Sequence, residues 1–162
     1  ESGAIERRLA IMVGGKEDVF QRCLPLFEAM GKNIVRVGGN GDGQRCKLCN
    51  QIVGAINIVA TCEGLRFAEK AGLDLNKVQQ VVSKGAAGSW MMENLGPKMI
   101  ANDWRPGFLI RLQDKDLRLV REAMKAIGID LPGTQLAATK FDEANERGFG
   151  EEGTQALYKL FG

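Results

Sequence analysis

The chain has 162 residues, 44% of them hydrophobic and 26% charged, with a formal net charge of +2. That is enough for a domain with a real core, and it excludes a disordered chain, a nucleic-acid-binding basic block and an acidic tail. There is no histidine, so imidazole bases, Ser-His relays and His-ligated metals are excluded, and acid–base work falls to Lys, Asp, Glu, Cys or Tyr158.

The first residues, ESGAIERR, lack the pattern of a signal peptide. Residues Leu9 to Val13 read as a short buried strand closed by Gly14-Gly15. A helix is expected from Glu17 to Met30, with Val19, Phe20, Cys23, Leu24 and Phe27 on its apolar side. Pro25 should kink or restart it, and Gly31 should stop it. Asn33 to Val37 reads as a second strand, which makes a strand–helix–strand unit. Two strands cannot cover themselves in water, so this unit is expected to belong to a larger sheet.

After Val37 the pattern is helical. Gly38 to Gly43 form a glycine-rich bend, and a helix from about Gly43 to Lys70 follows. Its length of roughly 40 Å exceeds that of a typical globular helix. Glu63, Arg66 and Glu69 interrupt its apolar run, so no membrane span is expected. Asp74 should cap a helix over Leu75 to Ser83, ended by Gly85. The loop Gly85 to Trp90 leads to a short helix with Met91, Met92 and Leu95, broken at Gly96-Pro97 and resumed over Lys98 to Ala101. Asn102 to Phe108 reads as an aromatic loop, and Ile110 to Ile127 as an amphipathic helix ended by Gly128. A turn at Leu131 to Thr134 opens a helix to about Arg147, and Thr154 to Leu160 forms a last short helix.

Three features could carry chemistry. The bend lies between a strand and a helix, as a dinucleotide-binding turn does. The Gly-x-Gly-x-x-Gly fingerprint fails there, because Gln44 or Cys46 takes the third glycine position. The glycines are better read as a hinge that lets another backbone come close. Cys46-x-x-Cys49 could be a redox pair, or join Cys23 and Cys62 at a zinc ion, but the usual role of such residues is a small buried side chain. Lys47 shares a helix face with Asn50 and Gln51, in a helix otherwise built for burial. An ammonium held near apolar surface loses the water that stabilises its charge, which suits it to exchange a proton. Lys115, in the run Gln113-Asp114-Lys115-Asp116, reads locally as a surface lysine beside two acids.

Taken together, the chain resembles the C-terminal part of the β-hydroxyacid dehydrogenases, which include 3-hydroxyisobutyrate dehydrogenase and tartronate semialdehyde reductase. GDGQRCKLCNQ is similar to the family's Gly-x-x-x-x-x-Lys-x-x-x-Asn motif, PGF to KDL (Pro106 to Leu117) to its cofactor-facing motif, and GAAGSW to a substrate-pocket loop. The resemblance implies a mainly α, multihelical fold like that of the 6-phosphogluconate dehydrogenase C-terminal domain. Residues 1–38 would be a β-α-β remnant of a Rossmann domain and residues 39–162 the helical domain. It makes Lys47 the catalytic lysine, and Asn50 or Gln51 with Ser89 the substrate contacts. Lys115 and Phe108 become contacts to NAD or NADP, with no metal. The family's asparagine falls at Gln51 here, and Asn50 precedes it. The family's Ser-Gly-Gly motif is not matched by Ser2-Gly3, because aligning Ala4-Ile5-Glu6 puts it upstream of residue 1.

The resemblance also implies a parent nearly twice this length, acting on a small hydroxyacid or semialdehyde as a homo-oligomer, dimer or tetramer. Cytoplasmic location is the default expectation. The alternative is a helical oligomerisation module without activity of its own.

Overall fold

The computed structural model describes residues 9–162. The expectations placed on Ser2-Gly3, Ala4 to Glu6 and the start of the 1–38 remnant lie outside them. The described residues divide into two compact units, one up to Asn50 and one from Gln51 to Gly162.

The first unit holds strand β1 (Leu9–Gly14), helix α1 (Glu17–Glu28), strand β2 (Gly31–Gly38) and the first turns of α2 (Asp42–Lys70). β1 and β2 pair in parallel, with Ala10 opposite Asn33 and Met12 opposite Val35. A parallel pair requires a crossover, and α1 supplies it. Pro25 lies inside α1, which ends at Glu28, short of the expected stop. Gly31 instead opens β2, where a Cβ would stand 2.3 Å from the Leu9 carbonyl oxygen. Phe20 and Phe27 stack along α1 with ring centroids 6.1 Å apart. Parallel sheets are normally covered on both faces, yet Leu9, Val35 and Val37 remain 38–48% exposed.

The bend before α2 works as a close-approach element. A Cβ on Gly43 would lie 2.6 Å from the Met12 carbonyl oxygen, so α2 starts with its backbone against β1. Asp42 Oδ2 accepts the Gly39 N–H at 2.7 Å and closes the turn.

The second unit is helical: the rest of α2, then α3 (Leu75–Lys84), α4 (Trp90–Asn94), α5 (Gly96–Ile100), α6 (Ile110–Ile127), α7 (Pro132–Ala144), a π-helical turn (Asn145–Phe149) and a 3-10 helix (Thr154–Phe161). Asp74 caps α3 by accepting the Asn76 and Lys77 amides. Gly128 ends α6 in the left-handed conformation. α7 stops before the predicted Arg147, and Gly148 at φ 86° lies in the wider turn that follows.

α2 gives this unit a buried stripe, Ala55, Ile58, Cys62 and Leu65, packed with Met99, Ile110, Leu117, Phe141 and Leu157. Its other side is more open than an all-round buried helix: Val53 is 59% and Phe67 74% exposed. By length and composition alone α2 could cross a membrane. This differs from the sequence expectation, because Glu63, Arg66 and Glu69 fall only in its later turns. The buried stripe accounts for much of its apolar character.

Candidate functional site

Lys47 and Asn50 are brought together. Three residues apart on α2, they face one cleft of about 360 Å³ in the first unit, whose other wall is Ala10, Ile11 and Met12 of β1. Gly43 and Gln44 also line it. The Gly43–Met12 approach sets this geometry, because it fixes the start of α2 against the strand. Both residues are exposed, and the wall they face is apolar.

Gln51 goes elsewhere. It is 5% exposed and lies in the second unit. Its Nε2 donates to Asp116 Oδ2 at 2.7 Å and to Gln113 Oε1 at 3.3 Å. Asp116 Oδ1 in turn holds Lys115 Nζ at 2.5 Å. The expected cofactor lysine and one expected substrate carboxamide thus meet through Asp116, which the sequence offered only as an acid beside the lysine. A signal was available: Gln113 and Asp116 fall in phase with Val120 on the side of α6 that faces the core.

Ser89 is the N-cap of α4 and accepts the Met92 amide at 3.0 Å, which leaves its O–H free to donate. Phe108, 39% exposed, sits in the loop before α6. That loop is pinned by Thr154 N–H donating to the Phe108 carbonyl at 2.9 Å and Ile110 N–H donating to the Glu152 backbone carbonyl at 3.0 Å. Beside it, the Arg105 guanidinium holds the Asp103 carboxyl well below the usual carboxylate range.

The four cysteines are free thiols. Cys62 is fully buried in the core, and burial pushes its thiol far up. Among the described residues no group of three or more His, Cys, Asp or Glu forms a metal cluster. Asp114, also buried, has its carboxyl pushed up by burial and by Asp142 beside it, against the pull of Arg118 and Arg121.

Comparison with known proteins gives a consistent picture. The family model for the NAD-binding domain of NADP-dependent 3-hydroxyisobutyrate dehydrogenase matches residues 41–161. The model for the NAD binding domain of 6-phosphogluconate dehydrogenase matches residues 1–39. The 2-hydroxy-3-oxopropionate reductase of Escherichia coli K12 is 49% identical over 148 residues, covering 91% of this chain and 51% of that protein. The crystal structure of a 3-hydroxyisobutyrate dehydrogenase from Salmonella typhimurium superposes with a TM-score of 0.90 at 30% identity, over 98% of this chain and 56% of that one. The Mycobacterium tuberculosis 3-hydroxyisobutyrate dehydrogenase with L-serine gives 0.89 at 30% identity, over 98% and 57%. The chain therefore spans about half the length of the relatives it matches.

NAD(P) is the cofactor of the matched family. An exposed ammonium at Lys115 and a part-exposed ring at Phe108, on a pinned loop and the helix after it, are a donor and a flat apolar surface of the kind a nicotinamide dinucleotide uses. The residues present fit one side of such a cofactor.

Proposed function

The chain belongs to the β-hydroxyacid dehydrogenase family, and from that premise we propose that it is the C-terminal part of an NAD(P)-dependent 3-hydroxyacid dehydrogenase carrying the catalytic lysine. The substrate type is 3-hydroxyisobutyrate or 2-hydroxy-3-oxopropionate. The observation that supports this most directly is the pairing of Lys47 and Asn50 in one cleft against β1.

The bound cofactor supplies hydride acceptance in oxidation and hydride donation in reduction. Lys47 Nζ takes the hydroxyl proton as the substrate carbon becomes a carbonyl, and returns it in the reverse direction. Asn50 orients the reacting oxygen by hydrogen bonding. Ser89 donates its O–H to the substrate carboxylate, its oxygen being already used by the Met92 amide. Lys115 and Phe108 hold the cofactor. The 162-residue chain alone is inactive.

The test is turnover of the full-length enzyme with Lys47→Ala. A loss of about 10²–10⁴-fold is expected, with circular dichroism unchanged. Wild-type turnover in a folded variant overturns the assignment.

A second reading, a helical assembly module, rests on the exposed Val53 and Phe67 of α2. It is compatible with the first for a homo-oligomeric parent. Sedimentation of the wild type against Phe67→Lys tests it, and an unchanged mass removes it.

A further inference from the structure

Asp116 is 9% and Gln51 5% exposed, while the Lys115 side chain between Gln113, Asp114 and Asp116 is 53% exposed. A carboxylate so far out of water is costly unless its oxygens are partnered. Both are: Oδ2 by Gln51 Nε2 at 2.7 Å and Oδ1 by Lys115 Nζ at 2.5 Å. The second contact is unusual for a helix, because adjacent residues do not face one another. Lys115 must fold back along α6 to reach Asp116, and this fixes where its ammonium stands. An ammonium has three N–H donors. Asp116 takes one, so the others are held in set directions rather than sweeping with a free four-carbon stem.

We propose that Gln51 and Asp116 are positioning residues for Lys115, forming a brace from α2 to α6 that presents its ammonium to the dinucleotide cofactor. Gln51 orients the carboxylate, and the carboxylate orients the lysine. A lysine ordered in advance loses less freedom on binding, so the brace raises cofactor affinity without touching the cofactor. Gln51 is on this account no substrate contact. The proposal rests on the reading of Lys115 as a cofactor contact.

The test measures NADPH and NADH binding to the full-length enzyme by fluorescence titration, without turnover. Gln51→Met keeps the side-chain volume and removes the donor. Asp116→Asn keeps an acceptor for Gln51 and removes the charge facing Lys115. Each should weaken binding about fivefold in the wild-type background and leave it nearly unchanged in a Lys115→Ala background, the non-additivity of residues acting through one another. Equal losses in both backgrounds, or no loss in either variant, overturn the brace. If Gln51→Met fails to fold, Asp116→Asn alone decides between these outcomes. If Lys115→Ala itself leaves affinity unchanged, the cofactor reading of Lys115 fails, and the brace with it. If Lys115→Ala weakens binding but the brace variants do not, only the brace fails.

Discussion

The backbone of Gly43 lies against the carbonyl of Met12, so close that a Cβ on Gly43 would stand 2.6 Å from that oxygen. The obstacle is backbone on both sides, and no side chain can swing away to make room. Gly43→Ala should therefore push α2 off β1, at a cost of about 1–3 kcal/mol of the kind overpacking brings. Denaturant unfolding followed by circular dichroism checks the cost. In the full-length enzyme the same variant should lower turnover, because Lys47 begins one turn later. Unchanged stability would mean that the contact is not maintained in solution.

Asn50 and Gln51 should separate by kinetics. Asn50→Ala, which alters the cleft shared with Lys47, is expected to lower kcat/KM for the hydroxyacid by about tenfold or more, as the loss of a substrate hydrogen bond does. Its cofactor affinity should be unchanged. A substrate effect for Gln51→Met equal to that of Asn50→Ala would contradict the separation.

Asp114 gives a pH signature. Burial first, then Asp142, raises its folded-state carboxyl above the unfolded value. The folded state therefore holds a proton that the unfolded chain has released, and stability falls as pH rises from the ordinary carboxylate range through the raised value. The penalty is full above that value and absent at pH below the unfolded one. Asp114→Asn keeps an acceptor for Asn145, which donates to Oδ2 at 3.2 Å. It should melt at a higher temperature than wild type at neutral pH, with the gain vanishing under acid conditions. A difference independent of pH would assign the effect to packing.

Asp74 accepts the Asn76 amide at 2.9 Å and the Lys77 amide at 3.3 Å. Asp74→Ala should cost about 1 kcal/mol through the lost N-cap. Amide hydrogen exchange should localise the loss to the first turn of α3. Uniform loosening of the whole unit would point to another cause.

Phe141 is fully buried among Ile58, Leu117 and Leu157. Phe141→Ala should cost about 3–5 kcal/mol and abolish the thermal transition of the helical unit if its stability is ordinary for its size. A small shift would show that the core collapses around the vacancy.

Element order was largely legible in the residues. The apolar run of β1, the cap at Asp74 and the stop at Gly128 act over a few residues, and the structure forms a strand, a cap and a stop there, although Leu9 and Ala10 are exposed where a buried strand was expected. The ends of α1 and α7 were not legible. Gly31 serves a close approach to Leu9, and Gly148 serves a turn beyond α7, contacts that no local pattern encodes.

The sequence by itself determined that Lys47, Asn50 and Gln51 lie within five consecutive residues of one helix. Only tertiary structure decided that two of them share a cleft while the third is buried. At about 100° per residue, Asn50 and Gln51 flank Lys47 on opposite sides. Which side meets β1 and which meets α6 depends on residues 35 to 65 positions away in the chain. Periodicity fixes angles around a helix axis, but it carries no information about what stands at each angle. The lysine and its neighbours were thus visible from the start, and the division of labour among them became visible only once the distant walls were in place.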